Sequence, residues 1–408
     1  MKSKNIPRLR FPEFRDAPEW EQLPIGKKVD LLSGYPFKSE EISEDESGIP
    51  LMRGINITEG YIRHSREIDR FFLGNAQKLE KFILQTNDLV IGMDGSKVGK
   101  NSALVTANDS GSLLIQRVAR LRAECKATIE FIYQHINSIK FHQYVDRINT
   151  SSGIPHISAK QINEFEISFP KDKKEQQKIA DCLMSLDDLI ADQSAKAEAL
   201  KKQKKALIQQ LFPREGESVP RLRFPEFRDA PEWEEKKLSD LLDYEQPTNY
   251  LVSDTNYNNN FEIPVLTAGK TFILGYTNEL NGVFDNPLPV IIFDDFTTAT
   301  QFVDFPFKAK SSAMKILKSK GYFANIKVIF ELMQNIRFQA EEHKRYWISE
   351  YQNIEIKIPK PNEQQKIADC LTSLDDLISA QNTKIEALKA HKKALMQQLF
   401  PSNDEVEI

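Results

Sequence analysis

Gly95, Gly99 and Lys100 come close to a phosphate-cradling loop, in which backbone amides and a lysine hold an anion. The spacing is one residue short of the nucleotide-binding pattern, and Asn101 stands where a hydroxyl would hold magnesium. Asn286, Pro287, Leu288 and Pro289 come near an Asn-Pro-Pro-aromatic site for a flipped base. Leu288 replaces the second proline, Pro289 replaces the stacking aromatic, and no Gly-x-Gly cofactor loop precedes them. Glu355 and Lys357 have no convincing partner aspartate for nuclease chemistry. The 6 histidines are scattered, with no metal-binding spacing. Intrinsic catalysis is therefore not expected, and no cofactor or metal is assigned to this chain.

The remaining chemistry is that of contacts to a polyanion. Lys97, Lys100, Arg117, Arg120 and Arg122 gather in one stretch, and Lys308, Lys310, Lys315, Lys318 and Lys320 in another. Such runs can neutralise phosphates. Arg53 and Asn56, Ser96, Ser151 and Ser152, Lys270, and Thr297, Thr298 and Gln301 carry donors and acceptors suited to base edges. The net charge of −4 gives no overall support, so any basic surface has to be local.

These residues sit on a duplicated frame. Pro7 to Glu21 recurs unchanged at Pro220 to Glu234, and Glu175 to Pro213 recurs closely at Glu363 to Pro401. The segments between, roughly 22–174 and 235–362, do not visibly align. Repeated parts do one job twice; unlike parts do different jobs in equivalent places.

The repeated blocks carry heptads. One seam runs through Ile179, Leu183, Leu186, Ile190, Ala197, Leu200, Leu207 and Leu211, the other through Ile367, Leu371, Leu374, Ile378, Ile385, Leu388, Leu395 and Leu399. Gln193, Lys204, Gln381 and Lys392 interrupt them. Asp172 with Glu175 suggests a capping box at the first start, and Asn362 a cap at the second. Phe212-Pro213 and Phe400-Pro401 end the helices, because proline cannot continue them. Each helix is acidic first (Asp181, Asp187, Asp188; Asp369, Asp375, Asp376) and basic later (Lys201, Lys204, Lys205; Lys389, Lys392, Lys393). The two are complementary only when antiparallel. Glu175 to Leu211 would span about 55 Å.

The intervening modules read as mixed α/β. Asp88 to Gly92 is a buried strand before a glycine turn, and Thr128 is placed as the cap of a helix through Ile129, Ile132, Tyr133, Ile136 and Ile139. Phe165, Ile167 and Phe169 alternate in a closing strand, as do Ile354, Ile356 and Ile358 in the second module. A helix through Val328, Ile329, Leu332 and Ile336 precedes the latter. A shared framework with different loops follows. The expected architecture is two globular α/β modules separated by an antiparallel two-helix coiled coil, a pseudo-two-fold internal repeat. Its parts are 1–170, first module with tag; 171–213, first long helix; 214–359, second module with tag; 360–401, second long helix; and 402–408, a tail.

With 3 widely spaced cysteines, no long apolar run and a charged N-terminus, the expected setting is the cytoplasm. The hinge at Arg214 to Ser218 reads as a loop.

The doubled Leu-Arg-Phe-Pro-Glu-Phe tags, Gly48 to Gly54, Asp88 to Gly95, Glu262 to Gly269 and above all the doubled Glu-Gln-Gln-Lys-Ile-Ala helices carry a resemblance. The chain resembles the specificity subunits of type I restriction-modification systems over nearly its whole length. The resemblance implies that each module is a target-recognition domain reading one half of a bipartite, asymmetric double-stranded DNA sequence. It implies a helical ruler for the unread gap. It also implies docking of two methyltransferase subunits and of restriction/translocase subunits, which use S-adenosylmethionine and ATP; no membrane is involved. A non-catalytic protein-binding scaffold with two modules on a coiled-coil spacer is the alternative. A stand-alone repressor would expect a palindromic site, which unlike modules argue against.

Overall fold

The computed structural model describes residues 5–149, 154–269, 271–339 and 345–401. The chain divides into two compact units, Met1–Ser194 with Thr383–Ile408, and Ala195–Asn382. The expectations at Ser151, Ser152 and Lys270 lie outside the described residues.

In the first unit the strands are β1 (Glu21–Pro24), β2 (Val29–Ser33), β3 (Ile42–Ser43), β4 (Ile49–Met52), β5 (Phe71–Phe72), β6 (Leu89–Gly92), β7 (Ser102–Leu104), β8 (Leu113–Leu114), β9 (Val118–Ala123) and β10 (Glu166–Phe169). The helices α1 (Lys126–Ile136), α2 (Ile139–Ile148) and α3 (Ala159–Glu164) precede the first half of α4 (Lys173–Leu211). One sheet has the order β2-β9-β6-β7 and another β3-β5-β4-β8, with β4 and β8 parallel. β6 is buried at every position, as an unbroken apolar run demands. β1 pairs with β10, so the segment after the tag closes on the strand before the long helix.

In the second unit β11 (Glu234–Lys237), β12 (Leu242–Glu245), β13 (Ile263–Leu266), β14 (Ile273–Thr277), β15 (Val290–Asp294), β16 (Thr300–Val303), β17 (Lys308–Ala309), β18 (Met314–Ser319) and β19 (Glu355–Ile358) repeat this plan. They are joined by α5 (Leu238–Leu241), α6 (Ile326–Met333) and the first part of α7 (Pro361–Leu399). The order β12-β18-β15-β16 matches β2-β9-β6-β7; β13 and β17 run parallel as β4 and β8 do; β11 pairs with β19 as β1 does with β10. The expected common framework is present although the sequences do not align.

Each long helix gives one half to each unit. In the first, Lys392 Nζ meets Asp187 at 2.5 Å. In the second, Lys204 Nζ meets Asp375 at 2.7 Å. Both contacts set the early part of one helix against the late part of the other, the antiparallel sense required by the charge pattern. Ile179, Leu183, Met396 and Leu399 belong to one apolar core with Trp20 and Phe131. Leu211, Ile367 and Leu371 belong to another with Trp233 and Val328. The tags are pinned by a buried ion pair: Arg10 to Glu175 at 2.6 Å and Arg223 to Glu363 at 2.7 Å. Trp20 Nε1 donates to Glu175 at 3.2 Å.

Five local expectations need correction. Glu175 closes no capping box, because it serves the buried clamp to Arg10; Asp172 alone accepts from the Lys174 amide at 2.8 Å. Asn362 lies inside α7, which begins at Pro361, so it is no cap. Thr128 lies within α1, and its hydroxyl donates to Gln176 instead. Ile139 does not extend that helix: Ser138 accepts from the Phe141 amide and starts α2, leaving Ile139 exposed. Ile336 similarly falls beyond α6. Among the described residues no helix is long and apolar enough to cross a membrane.

Candidate nucleic-acid interface

Parallel pairing of β4 with β8 brings the residues after both strands to one end of the first unit. The Ile115 amide donates to Met52 O, and the Met93 amide to Arg117 O at 2.9 Å. Three connections are thereby joined: Arg53 to Asn56, Gln116 to Arg117, and the β6–β7 turn beginning at Met93. Between them lies a groove of about 370 Å³ lined by Arg53, Gly54, Ile55, Gly92, Asp94, Asn101, Ile115, Gln116 and Arg117. Arg117 adopts φ +72°, an unfavourable conformation for a bulky residue. Its guanidinium is 62% exposed and only 3.8 Å from the Asp94 carboxylate, a loose pair that a phosphate or base can displace.

The second unit joins the same three connections. The Lys310 amide donates to Leu266 O, and the Asp295 amide to Ala313 O at 3.2 Å. The residues following β13, β17 and β15 therefore meet as those following β4, β8 and β6 do. Here the side chains differ: Thr267, then Lys310 with exposed Ser311 and Ser312, then exposed Phe296 and Thr297. Asp294 shapes the β15–β16 turn by accepting from the Phe296 and Thr297 amides. Thr298 sits at φ +58° in that turn, and Arg345 lies over the Phe296 ring.

The description "Type I restriction modification DNA specificity domain" fits residues 21–202 and again 231–390 of this sequence. The chain belongs to this family. Its two specificity-domain matches cover both modules and much of both long helices. The EcoR124I/EcoR124II specificity subunit of Escherichia coli is 49% identical over 142 residues, which are 34% of this chain and 35% of that protein. The chain thus matches about a third of that relative's length. The MjaVIII specificity subunit of Methanocaldococcus jannaschii is 24% identical across 97% of this chain and 94% of its own. The crystal structure of a type I system S subunit from M. genitalium shares the fold, with TM-score 0.64 at 15% identity, covering 97% and 99% of the two chains.

Within this specificity-domain frame, the residues expected from sequence scatter. Arg53 and Arg117 meet in the first groove. Ser96 and Lys97 are exposed on the adjoining turn, where Lys97 pairs with Glu59 at 2.8 Å. Lys100 turns away and lines a separate cavity with Tyr133 and His142. Asn56 is buried and spends its side chain on Arg63 O and Asp69, so it offers nothing to a base. Arg120 and Arg122 are committed to Asp30 and Asp88. In the second unit Thr297, Thr298 and Gln301 lie on the β15–β16 hairpin, and Lys310 on the β17–β18 connection. Lys308 is 3% exposed and paired with Glu279, and Lys315 is 1% exposed and paired with Asp295. Neither belongs to a surface run. A linear count of lysines cannot separate such interior ion pairs from a basic face. Asn101, Gln116, Ser311 and Ser312 were missed, since only the joining of loops by parallel strands marks them.

Proposed function

We propose that this chain is the DNA-specificity subunit of a type I restriction-modification complex and reads a split, asymmetric duplex target. One observation carries the proposal: the same three connections converge in both units, on the same framework, with unlike side chains. Equivalent placement suits the same task, and unlike chemistry suits two different half-sites. The two arginines of the first groove and Lys310 of the second supply phosphate or base contacts. Residues 1–170 and 214–359 serve as the two target-recognition domains.

The chain itself performs no catalysis in this proposal. Two methyltransferase subunits and the restriction/translocase subunits bring S-adenosylmethionine and ATP chemistry, and the cytoplasm is the site of action. The long helices, 39 residues each and so about 58 Å, set the length of the unread gap. Linking two weak readers makes the second binding event intramolecular, so neither half-site needs high affinity alone.

The deciding experiment exchanges residues 22–170 for the corresponding module of a relative and maps methylated adenines in cells carrying the complex. One half-site changes and the other stays. Loss of both, or change in neither, ends the modular reading. Adding one heptad to both helices widens the gap with unchanged half-sites; an unaltered gap removes the ruler. Binding to duplex DNA falls steeply as salt rises, and indifference to salt turns the assignment towards a protein-binding scaffold.

A further inference from the structure

The groove of the first unit contains two side-chain amides without a hydrogen-bond partner among the described residues, Asn101 and Gln116. Both stand on backbone that is held in place. The Gln116 amide donates to Tyr35 O at 2.9 Å. Gly34 packs so tightly against this segment that a Cβ there would come within 2.0 Å of Ile115 O and 2.7 Å of the Gln116 nitrogen. Asn101 N donates to Lys97 O and its carbonyl accepts from Gly92. Free amide groups on fixed backbone, beside two arginines, are poised for an outside ligand.

An amide offers one donor and one acceptor side by side. Adenine presents the matching pair, the N7 acceptor and N6 donor, at the major-groove edge; guanine presents two acceptors there and suits arginine instead. We infer that Gln116 and Asn101 each read an adenine in the half-site bound by the first unit. The inference rests on the proposed DNA-specificity function and names the base chemistry of that site. The second unit has no such pair at the equivalent places: Ser311 and Ser312 stand near the position of Gln116, and Ala299, whose carbonyl accepts from Asp294 as that of Asn101 does from Gly92, replaces the other. Its half-site is read by other means.

The test maps methylated adenines in cells carrying the full complex with wild-type chain, Gln116→Ala, Asn101→Ala or the double variant. Each single variant relaxes one adenine position of one half-site, its preference falling roughly ten- to hundredfold. The second half-site stays fully selective, which also shows that the variant is folded. In a binding assay on oligonucleotide duplexes the salt dependence of the variants is unchanged, since no phosphate contact is lost. An unchanged sequence in the double variant, a relaxed position that is not adenine, or uniform weakening over all sequences overturns the assignment while leaving the specificity function intact. A wild-type chain with no split sequence removes the parent proposal and this one together.

Discussion

The two units solve one structural problem twice with different side chains. Each closes its tag on its long helix through a buried arginine–glutamate pair, and each presents loops from β4, β6 and β8 or from β13, β15 and β17. The β6–β7 turn runs through Gly95 and Gly99, both at positive φ, whereas the short β15–β16 turn is organised by the Asp294 carboxylate. Arg53, Gln116, Arg117 and Asn101 border one groove; threonines, serines and Lys310 occupy the matching loops of the other. Framework residues answer to packing, which both units share. Loop tips are free of that shared packing, and their side chains differ.

The largest test of this likeness is the clamp. Glu175→Ala strands Arg10, whose side chain is 6% exposed, and Glu363→Ala strands Arg223 at 7%. Each loses about 3–5 kcal/mol in urea unfolding. The loss at Glu175 is greater by about 1 kcal/mol, because Trp20 also donates to it while Trp233 Nε1 has no partner among the described residues. Equal losses would show the two clamps to be interchangeable.

Next comes the seam. Burial disfavours the Asp375 charge, but hydrogen bonds from Lys204 and then Lys327 outweigh it and hold its pKa below the usual value. Its folded pKa is lowered, so its contribution is complete above about pH 4 and is lost as pH falls through the lower folded value. Asp375→Asn lowers stability at neutral pH by about 1–2 kcal/mol, discounted because the carboxylate is partly exposed. It also flattens the acid limb of the stability curve. Asp187→Asn costs less, since Asp187 meets a single lysine, Lys392, together with Gln134. A larger loss at Asp187 would reverse the ranking of the two seams.

A third test concerns pH in the first unit only. His64 lies between Asp69 at 3.1 Å and Asp109 at 2.8 Å. Burial lowers its pKa, yet hydrogen bonds to Asp109 and Asp69 and their charges leave it raised. The stabilisation is therefore full below about pH 6.5 and fades as pH rises through the elevated folded value. Amide protection factors around residues 64–69, which are corrected for intrinsic exchange, fall over that rise, and His64→Gln removes this fall. A flat profile in the wild type would refute the clamp.

The smallest effect is at Arg117. Glycine accepts φ +72° freely, so Arg117→Gly stabilises the fold by about 0.5 kcal/mol after its own entropy cost. The same change weakens binding of the first half-site, measured on duplexes altered in one half. Lower stability together with unchanged binding would make Arg117 a structural residue.

Much of the frame was readable from sequence because duplication and heptads are periodic. Ile179, Leu183, Ile367 and Leu371, four of the heptad positions, are buried. Polarised charges required the antiparallel sense, and Lys204 and Lys392 make the pairs that realise it. The site was readable only in part. Arg53 and Arg117, singled out in the sequence, line one groove, but Lys308 and Lys315 looked like surface charge because their acids, Glu279 and Asp295, lie far along the chain. Gln116 gave no signal in a linear reading, because a single glutamine acquires meaning only when β4 and β8 set it opposite Arg53.

Because Met396 and Leu399 complete the core built around Trp20 and Phe131, a growing chain cannot finish that core until α7 has left the ribosome. Synthesis order and folding order are thereby uncoupled. Any product interrupted before α7 emerges has an open apolar seam, a natural flag for chaperones and proteases.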